Sequence, residues 1–456
     1  MPSRMILFAV LSAVLFGGQA AAQVPVPRIV NGTATAGHAS VGALLYYADP
    51  QRTQVDGLCS GTLVGCHTFV TAAHCLCDEF AEDARDCARF GLVDLATVQV
   101  YLQHAGFFDV DSAVIQPDYV FAESGDIAVM KLAQAPTGVA PSAINTLERL
   151  QPGTTGILVG FGTMGGGPRS PDNAGVKRQG PVRTTSCAPE VPDDTHICWR
   201  FNGQGSSTCS GDSGGPLFVD TNAGLVLAGV TSGGMTDSCL APDFSFDTDV
   251  FVYRSFVIDR AGEELGDVEC SDLAVVGSEA VSVTQRNGML SGSAAQARFE
   301  FEVASGTSEL RVGLNGQLYG GNGPFIGWNQ FNVYIRAGAP PTLSEFDCSD
   351  AGPSVFGFCR MTDPQPGTWH VLVNNAQGAG EWQVTATQFA DPTAPVCAGD
   401  CDEDGHVTVD ELVAGIAMAL GGGAGASCES LDLDDNGTVT VDEIVTAVNN
   451  ALEGCA

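Results

Sequence analysis

The sequence predicts a mainly β protein of three successive units, two built from strands and the last from short helices. Three observations predict it. Between residues 29 and 262, short apolar runs such as GALLYY, GTLVGC, TGILVGFG and GLVLAGVTSGG are cut apart by Gly, Pro and Asp, with little helical periodicity. After a polar stretch at 263–280, residues 281–391 follow a period of two. In ARFEFEV, Phe299, Phe301 and Val303 share one face and Glu300 and Glu302 the other; LRVGL, FNVYIRAG, TWHVLV and EWQVTATQF continue the pattern, as an antiparallel sandwich requires. Residues 396–456 hold an internal repeat: DCDEDGHVTVDELVAGIAMAL aligns with DLDDNGTVTVDEIVTAVNNAL, Asp400 over Asp432, across a GGGAGA connector. Leu412, Ile416 and Leu420 line one face of the first repeat helix.

A chain of 456 residues is too long for one ordinary core, and two to four domains are expected. Its first residues read as an export signal over 1–22: Arg4, an apolar run from Ile6 to Phe16, then the small residues Ala20, Ala21 and Ala22 before Gln23. The run is well short of the ~20 residues of a spanning helix, and no later stretch reaches that length, so no membrane span is expected. Sixteen cysteines suit an oxidising compartment and predict disulfides. A formal net charge of -34 excludes nucleic acid and anionic membranes as natural partners and favours solubility and cation binding.

The stretch CSGDSGGPL at 209–217 offers Ser213 either as a nucleophile or as a residue of a glycine-rich turn. A hydroxyl is a weak nucleophile at neutral pH and needs a base, which needs an acid to hold its tautomer. His74 in FVTAAHC stands at the end of an apolar strand, and Asp126 in GDIAVMKL opens another, where an unpartnered carboxylate would be costly. Taken together, TAAHC, DIAVMKL and GDSGGP in this order resemble the chymotrypsin/trypsin-like serine endopeptidases over residues 29 to about 261.

The resemblance implies a double antiparallel β-barrel with Ser213 as nucleophile, His74 as general base and acid, and Asp126 as orienting carboxylate. It gives the oxyanion hole to the Gly211 and Ser213 amides, Ser232 to the support of Asp126, and Gly234 to pairing with an extended substrate. It implies bridges Cys59–Cys75, Cys187–Cys198 and Cys209–Cys239, and leaves Cys66, Cys77, Cys87 and Cys270 outside the pattern. Gly233 departs from the family, which usually has an aromatic wall there. RIVNG at 28–32 implies a zymogen with a propeptide at 23–28: cleavage after Arg28 frees the Ile29 amine to pair with Asp212. For the pocket floor the sequence leaves two readings open. Ser207, six before the nucleophile, is neutral, whereas Asp249 in TDVFVY aligns with a second floor position and would favour Lys or Arg; the competing reading makes Asp249 a turn residue displaced by a longer loop after Cys239.

Residues 281–391 resemble the bacterial pre-peptidase C-terminal domain, a small sandwich found beside secreted peptidases, with Cys348 and Cys359 closing a local loop; a spacer or secretion aid and a substrate-binding module both fit. In the repeat, Asp400, Asp402, Asp404, His406, Thr408 and Glu411 occupy calcium-ligand positions of an EF-hand loop, with Gly405 at the sharp turn, and Asp432, Asp434, Asn436, Thr438, Thr440 and Glu443 repeat them. Paired EF-hands and a dockerin-like module both fit, with Cys397, Cys401, Cys428 and Cys455 as staples. The expected protein is thus a secreted bacterial calcium-binding endopeptidase, monomeric, acting on proteins or peptides and activated by another protease or by itself, with no cofactor for catalysis. The alternatives are a catalytically inactive adhesion protein that keeps the protease fold and a cohesin-binding scaffold component.

Overall fold

The structure, a computed structural model, describes residues 29–77, 81, 83–165, 174–222, 224–265, 270–320, 327–390, 397–401, 406–420, 428–433 and 437–453. It is mainly β, and strands take up the positions that the apolar runs mark. Six strands close a first barrel in the order Val41–Tyr47, Val55–Leu63, Thr68–Thr71, Ala128–Leu132, Gly106–Ile115 and Val98–Leu102. An eight-stranded, largely antiparallel sheet follows: Thr33–Ala34, Arg178–Arg183, Thr155–Gly160, Pro216–Thr221, Gly224–Gly234, Asp243–Asp249 and His196–Phe201, with Ala143–Ile144 parallel to Gly224–Gly234. The helix Val250–Ala261 closes this part of the chain. In the barrel, Thr68–Thr71 pairs with Ala128–Leu132, so the residues just beyond one strand and just before the other meet at the same edge. Among the described residues no helix is long and apolar enough to cross a membrane.

The described residues on either side of 266–269 are pinned to the barrel. Cys270 is bridged to Cys66, Leu265 pairs with Gly65, and the Val276 amide donates to the Gly138 carbonyl at 2.9 Å. Cys77 and Cys87, the other two cysteines outside the expected pattern, are bridged to each other.

Two four-stranded antiparallel sheets then face each other. One holds Val281–Leu290, Gly380–Ala390, Thr307–Gly316 and Gly357–Thr362; the other Gln296–Val303, Gly367–Gln377, Gln330–Ala337 and Cys348–Asp350. The alternation read in ARFEFEV holds, with Phe301 and Val303 buried and Glu300 and Glu302 exposed.

The two sheets do not form an independent body. Strand Thr307–Gly316 is buried on both faces. Leu310, Val312 and Leu314 join the core between the sheets, while Arg311 and Asn315 point at the barrel. The Arg311 guanidinium donates to the His104 carbonyl (3.0 Å), the Thr137 carbonyl (2.7 Å) and the Thr137 hydroxyl (2.7 Å), and stacks over Phe389. Asn315 donates to the Gly175 carbonyl, Gln383 to the Thr35 carbonyl, and Arg178, 1% exposed, pairs with Glu381 at 3.0 Å. Phe356 packs against both Tyr101 and Phe161 of the barrel region. Buried polar groups are tolerated only when partnered, so these contacts fix one docking geometry. Arg311→Ala leaves Glu309, which it shares with Arg360, short of a cation and strands two buried carbonyls; we expect a loss of about 3–5 kcal/mol, read as a lower melting temperature by calorimetry.

The C-terminal helices Val409–Ala419 and Val441–Glu453 pack through Leu412, Met418, Leu431 and Ala447, stapled by Cys401–Cys428. The buried face of the first helix departs from the expectation: Ile416 and Leu420 are exposed, and Glu411 and Gly415 are buried with Leu412 half-buried. Glu411 is drawn inward by hydrogen bonds from Cys401 and Thr408, and Gly415, one turn on, lies against Leu431.

Candidate active site

His74 sits in the turn His74–Leu76 that follows strand Thr68–Thr71, and the Cys59–Cys75 bridge ties that turn to the neighbouring strand. Its Nδ1 lies 2.7 Å from Asp126 Oδ2, and its backbone N–H donates to Asp126 Oδ1 at 2.9 Å. Asp126, fully buried, also accepts from the Ser232 hydroxyl at 2.6 Å. Burial alone would raise the Asp126 pKa; the His74 charge and the hydrogen bonds from His74 and Ser232 outweigh it and leave the carboxyl below its ordinary value. For His74, burial pulls the pKa down and Asp126 more than reverses it, leaving the imidazole above 6.5.

Ser213 stands on the adjoining loop and is partly exposed. Its carbonyl accepts from the Ser60 N–H (2.7 Å), next to the Cys59 bridge, while the Gly214 and Gly215 backbones pair with Thr231. Gly211 has φ +92, a conformation that disfavours any side chain, and its carbonyl accepts from Ser60 Oγ at 2.8 Å. The structure forms no hydrogen bond between Ser213 Oγ and His74. Such contacts often close only with substrate present.

Asp212 is buried beside the nucleophile loop, accepting from the Gly162 (2.8 Å) and Cys209 (3.0 Å) amides. Burial pushes its pKa up to about 7 against those hydrogen bonds. Gly162 is required by space, since a Cβ there would lie 2.5 Å from Asp212 atoms. The Ile29 side chain is buried and Val30 bridges to Ser207; Arg28 lies outside the described residues.

This arrangement coincides with a family match. The family described as Trypsin matches residues 29–257. The chain belongs to the trypsin family. It is 30% identical over 200 residues to the vitellin-degrading protease of Bombyx mori, covering 41% of this chain and 69% of that protein. It is 28% identical over 193 residues to a trypsin of Saccharopolyspora erythraea, covering 40% and 78%. It is also 28% identical over 230 residues to serine proteinase stubble of Drosophila melanogaster, covering 46% of this chain but only 28% of that protein's length.

Of the two readings open for Asp249, its surroundings fit the one that keeps it off the pocket floor. It caps the helix Val250–Ala261, accepting from the Phe251 N–H at 3.0 Å, and pairs with Arg149 at 3.1 Å. The residue that meets Ser207 is Ser245, their hydroxyls 2.9 Å apart and both buried; the segment between Cys239 and Asp243 shifts the alignment. Gly234, exposed, pairs in register with Ser245. Bridges Cys187–Cys198 and Cys209–Cys239 flank this region, and Cys348–Cys359 lies in the sandwich. The aromatic wall missing at Gly233 is supplied from elsewhere: a Cβ there would lie 2.9 Å from the Phe246 ring and 3.3 Å from Phe121, and Phe121 stands edge-on to His74 with ring centroids 5.7 Å apart. Phe121 was not found by the sequence reading; its one signal was a bulky aromatic five residues before Asp126.

In the C-terminal repeat Glu411 and Glu443 make matching hydrogen bonds. Glu411 accepts from the Cys401 N–H (2.7 Å) and from Thr408 N–H (2.6 Å) and Oγ1 (2.8 Å). Glu443 accepts from Leu433 N–H (2.8 Å) and from Thr440 N–H (2.6 Å) and Oγ1 (2.9 Å). Asp400, Glu411 and Glu443 are buried, Asp432 is half-buried and accepts from Gly437 N–H, and His406 and Thr438 are exposed. Asp402, Asp404, Asp434 and Asn436 lie outside the described residues. The expected donor set is oxygen only, the chemistry a hard cation such as calcium takes.

Proposed function

We propose that the chain is a secreted serine endopeptidase, made as a zymogen and cleaving peptide bonds through an acyl-enzyme. The observation that carries this is the hydrogen-bonded line Ser232–Asp126–His74 beside the Ser213 loop. His74 Nε2 takes the Ser213 proton as Oγ attacks the scissile carbonyl carbon, while Asp126 holds the imidazole tautomer and stabilises the imidazolium. The Gly211 and Ser213 amides receive the oxyanion, a contribution of about 3 kcal/mol per donor. His74 then returns the proton to the leaving amine, and water releases the acyl group by the same route. Disulfides throughout the described residues suit an oxidising, extracytoplasmic setting.

Because His74 must be neutral to act as base, and Asp126 holds its pKa above 6.5, kcat/KM is expected to rise with pH along a limb whose midpoint lies above 6.5. A pH series on a peptide amide checks this; a flat profile from pH 5 to 8 contradicts it.

The same reading gives calcium to the C-terminal repeat, held by Asp400, Glu411, Asp432 and Glu443 with the remaining loop oxygens. Bound calcium would neutralise the clustered carboxylates and order the loops; it has no part in the chemistry at Ser213. Titration calorimetry of the full chain is expected to show calcium binding that Glu411→Gln with Glu443→Gln abolishes. Chelator should speed proteolysis of the C-terminal helices while leaving peptide hydrolysis nearly unchanged.

A further inference from the structure

Ala174 to Arg178 lead into strand Arg178–Arg183, and both flanks of this segment are occupied. On one flank lies the nucleophile loop. The Gly175 N–H donates to the Phe161 carbonyl at 2.7 Å; from the same stretch the Gly162 N–H donates to Asp212 and the Thr163 N–H to the Ser210 carbonyl, both at 2.8 Å. Gly211 is enclosed by these two pieces of chain, for a Cβ there would stand 3.0 Å from Gly162 Cα and 3.6 Å from the Ala174 methyl group. Residues 161–163 and 174–175 are thus the wall against which the 210–212 turn rests.

On the other flank lies the sandwich. The Leu318 N–H donates to the Ala174 carbonyl at 2.8 Å, and Asn315 Nδ2 donates to the Gly175 carbonyl at 3.1 Å. Asn315, fully buried, also donates to Gln383 Oε1 (2.9 Å) and accepts from Gln103 Nε2 (3.1 Å), so three partners fix its amide. The end of strand Thr307–Gly316 runs so close that a Cβ on Gly175, at φ +114, would lie 2.1 Å from the Gly316 carbonyl oxygen. Phe356 packs on Phe161 with ring centroids 6.4 Å apart. Glu381 holds the buried Arg178 at 3.0 Å, and the Arg178 charge is felt at Asp212: burial raises the Asp212 pKa, and the Cys209 and Gly162 amides and the Arg178 guanidinium pull against it. Buried polar contacts are costly to leave half made, so docking of the sandwich holds 174–178 in one position against the nucleophile loop.

We infer that the docked sandwich sets the oxyanion donors: through Asn315, Glu381 and the Leu318 amide it fixes residues 174–178 where they brace the Gly211 and Ser213 amides in their working geometry. Asn315 and Glu381 are positioning residues, acting through that segment and not on substrate. The inference rests on the endopeptidase reading. Such donors work only when aimed at the place where charge develops, and a displacement of about 1 Å costs about 100-fold. Loosening the segment therefore slows the chemical step more than it weakens substrate binding.

The test uses the full chain with its N-terminus at Ile29 and a peptide amide that it cleaves. Asn315→Leu and Glu381→Gln are each expected to lower kcat at least about tenfold, less than the roughly 100- to 1000-fold of losing an oxyanion donor outright, with KM within about threefold. Val371→Ala, which truncates a buried side chain of the core between the two sheets, controls for stability alone. It should lower the melting temperature and leave kcat within about twofold. Two inhibitors report on the oxyanion site itself. A peptide aldehyde takes Ser213 Oγ onto its carbonyl carbon while the hydroxyl proton passes to His74, which leaves an oxyanion; the matching peptide alcohol forms neither bond nor oxyanion. In Asn315→Leu and Glu381→Gln, aldehyde affinity should fall in step with kcat and alcohol affinity stay within about threefold.

Fluorophosphonate labelling of Ser213 separates the failures. If the unsubstituted protein takes the label and cuts peptide, three results overturn the positioning role and leave the endopeptidase reading standing: kcat within about twofold in either variant, equal loss of aldehyde and alcohol affinity, or an equal fall in kcat in Val371→Ala. If no label enters and no peptide is cut, the reading falls and takes the inference with it. Should the two variants not fold, hydrogen exchange on the unsubstituted protein decides. Coupling between sites is reciprocal, so filling the oxyanion site with the aldehyde is expected to slow exchange across residues 314–319 at least about threefold and to leave residues 331–337 of the second sheet unchanged. Equal exchange across 314–319 with and without the aldehyde overturns the inference.

Discussion

Ser213→Ala is expected to lower turnover of any peptide amide by a factor on the order of 10⁴ to 10⁶ while the protein keeps its melting temperature. The size follows from the arrangement. Without Oγ there is no nucleophile for His74 to activate, so the Ser232–Asp126–His74 line has nothing to act on. Folding is spared because the Ser213 side chain makes no hydrogen bond among the described residues; the loop is held by its backbone, through Ser60, Thr231 and Asp212. Kinetics on the purified, processed protein with calorimetry alongside checks both halves. Hydrolysis retained at wild-type rate in the Ala variant would remove Ser213 from the mechanism altogether.

Arg28→Gln, which blocks cleavage before Ile29, is expected to hold activity roughly 100-fold or more below that of the processed protein. Asp212 is the reason. It is buried with two amide donors and, among the described residues, no salt bridge, and burial pushes its pKa up to about 7. An Ile29 ammonium arriving there would keep the carboxyl ionised and fix the adjacent Gly211 and Ser213 amides. The sign of the pH effect follows. In the uncleaved chain the folded pKa of Asp212 exceeds its unfolded value, so this group stabilises below about pH 4 and loses that contribution as pH rises to about 7. The uncleaved protein should therefore become less stable over that window by more than an Asp212→Asn variant does. Equal activity before and after N-terminal processing would refute the zymogen mechanism.

The candidate nucleophile, base and acid stand out in the sequence because each is embedded in a local motif whose neighbours are short-range: TAAHC, DIAVMKL and GDSGGP. What they share in space, the edge where two barrel strands end, needed the fold. Asp249 stayed open between two readings for a related reason: whether it stands at a pocket floor or at a helix start depends on the loop after Cys239, and only its cap on Val250–Ala261 and its pair with Arg149 tell the two apart. The sandwich misled in another way. Period-two alternation marks which residues share a face, not what covers it, and nothing in the alternation shows that the face carrying Arg311 and Asn315 packs against the first half of the chain. Cys66 and Cys270 could not be paired from spacing because the bridge spans 204 residues.

That long bridge bears on how the protein can be processed. The Cys66–Cys270 bond closes the chain before the sandwich begins, and beyond it Arg311, Asn315, Gln383 and Glu381 are anchored in the barrel region. A protease that nicks the backbone between residues 271 and 280 therefore produces two fragments that stay together, visible as two bands only after denaturation. After clipping at that junction the sandwich is held by these non-covalent contacts alone, the bridge keeping only the residues up to 270.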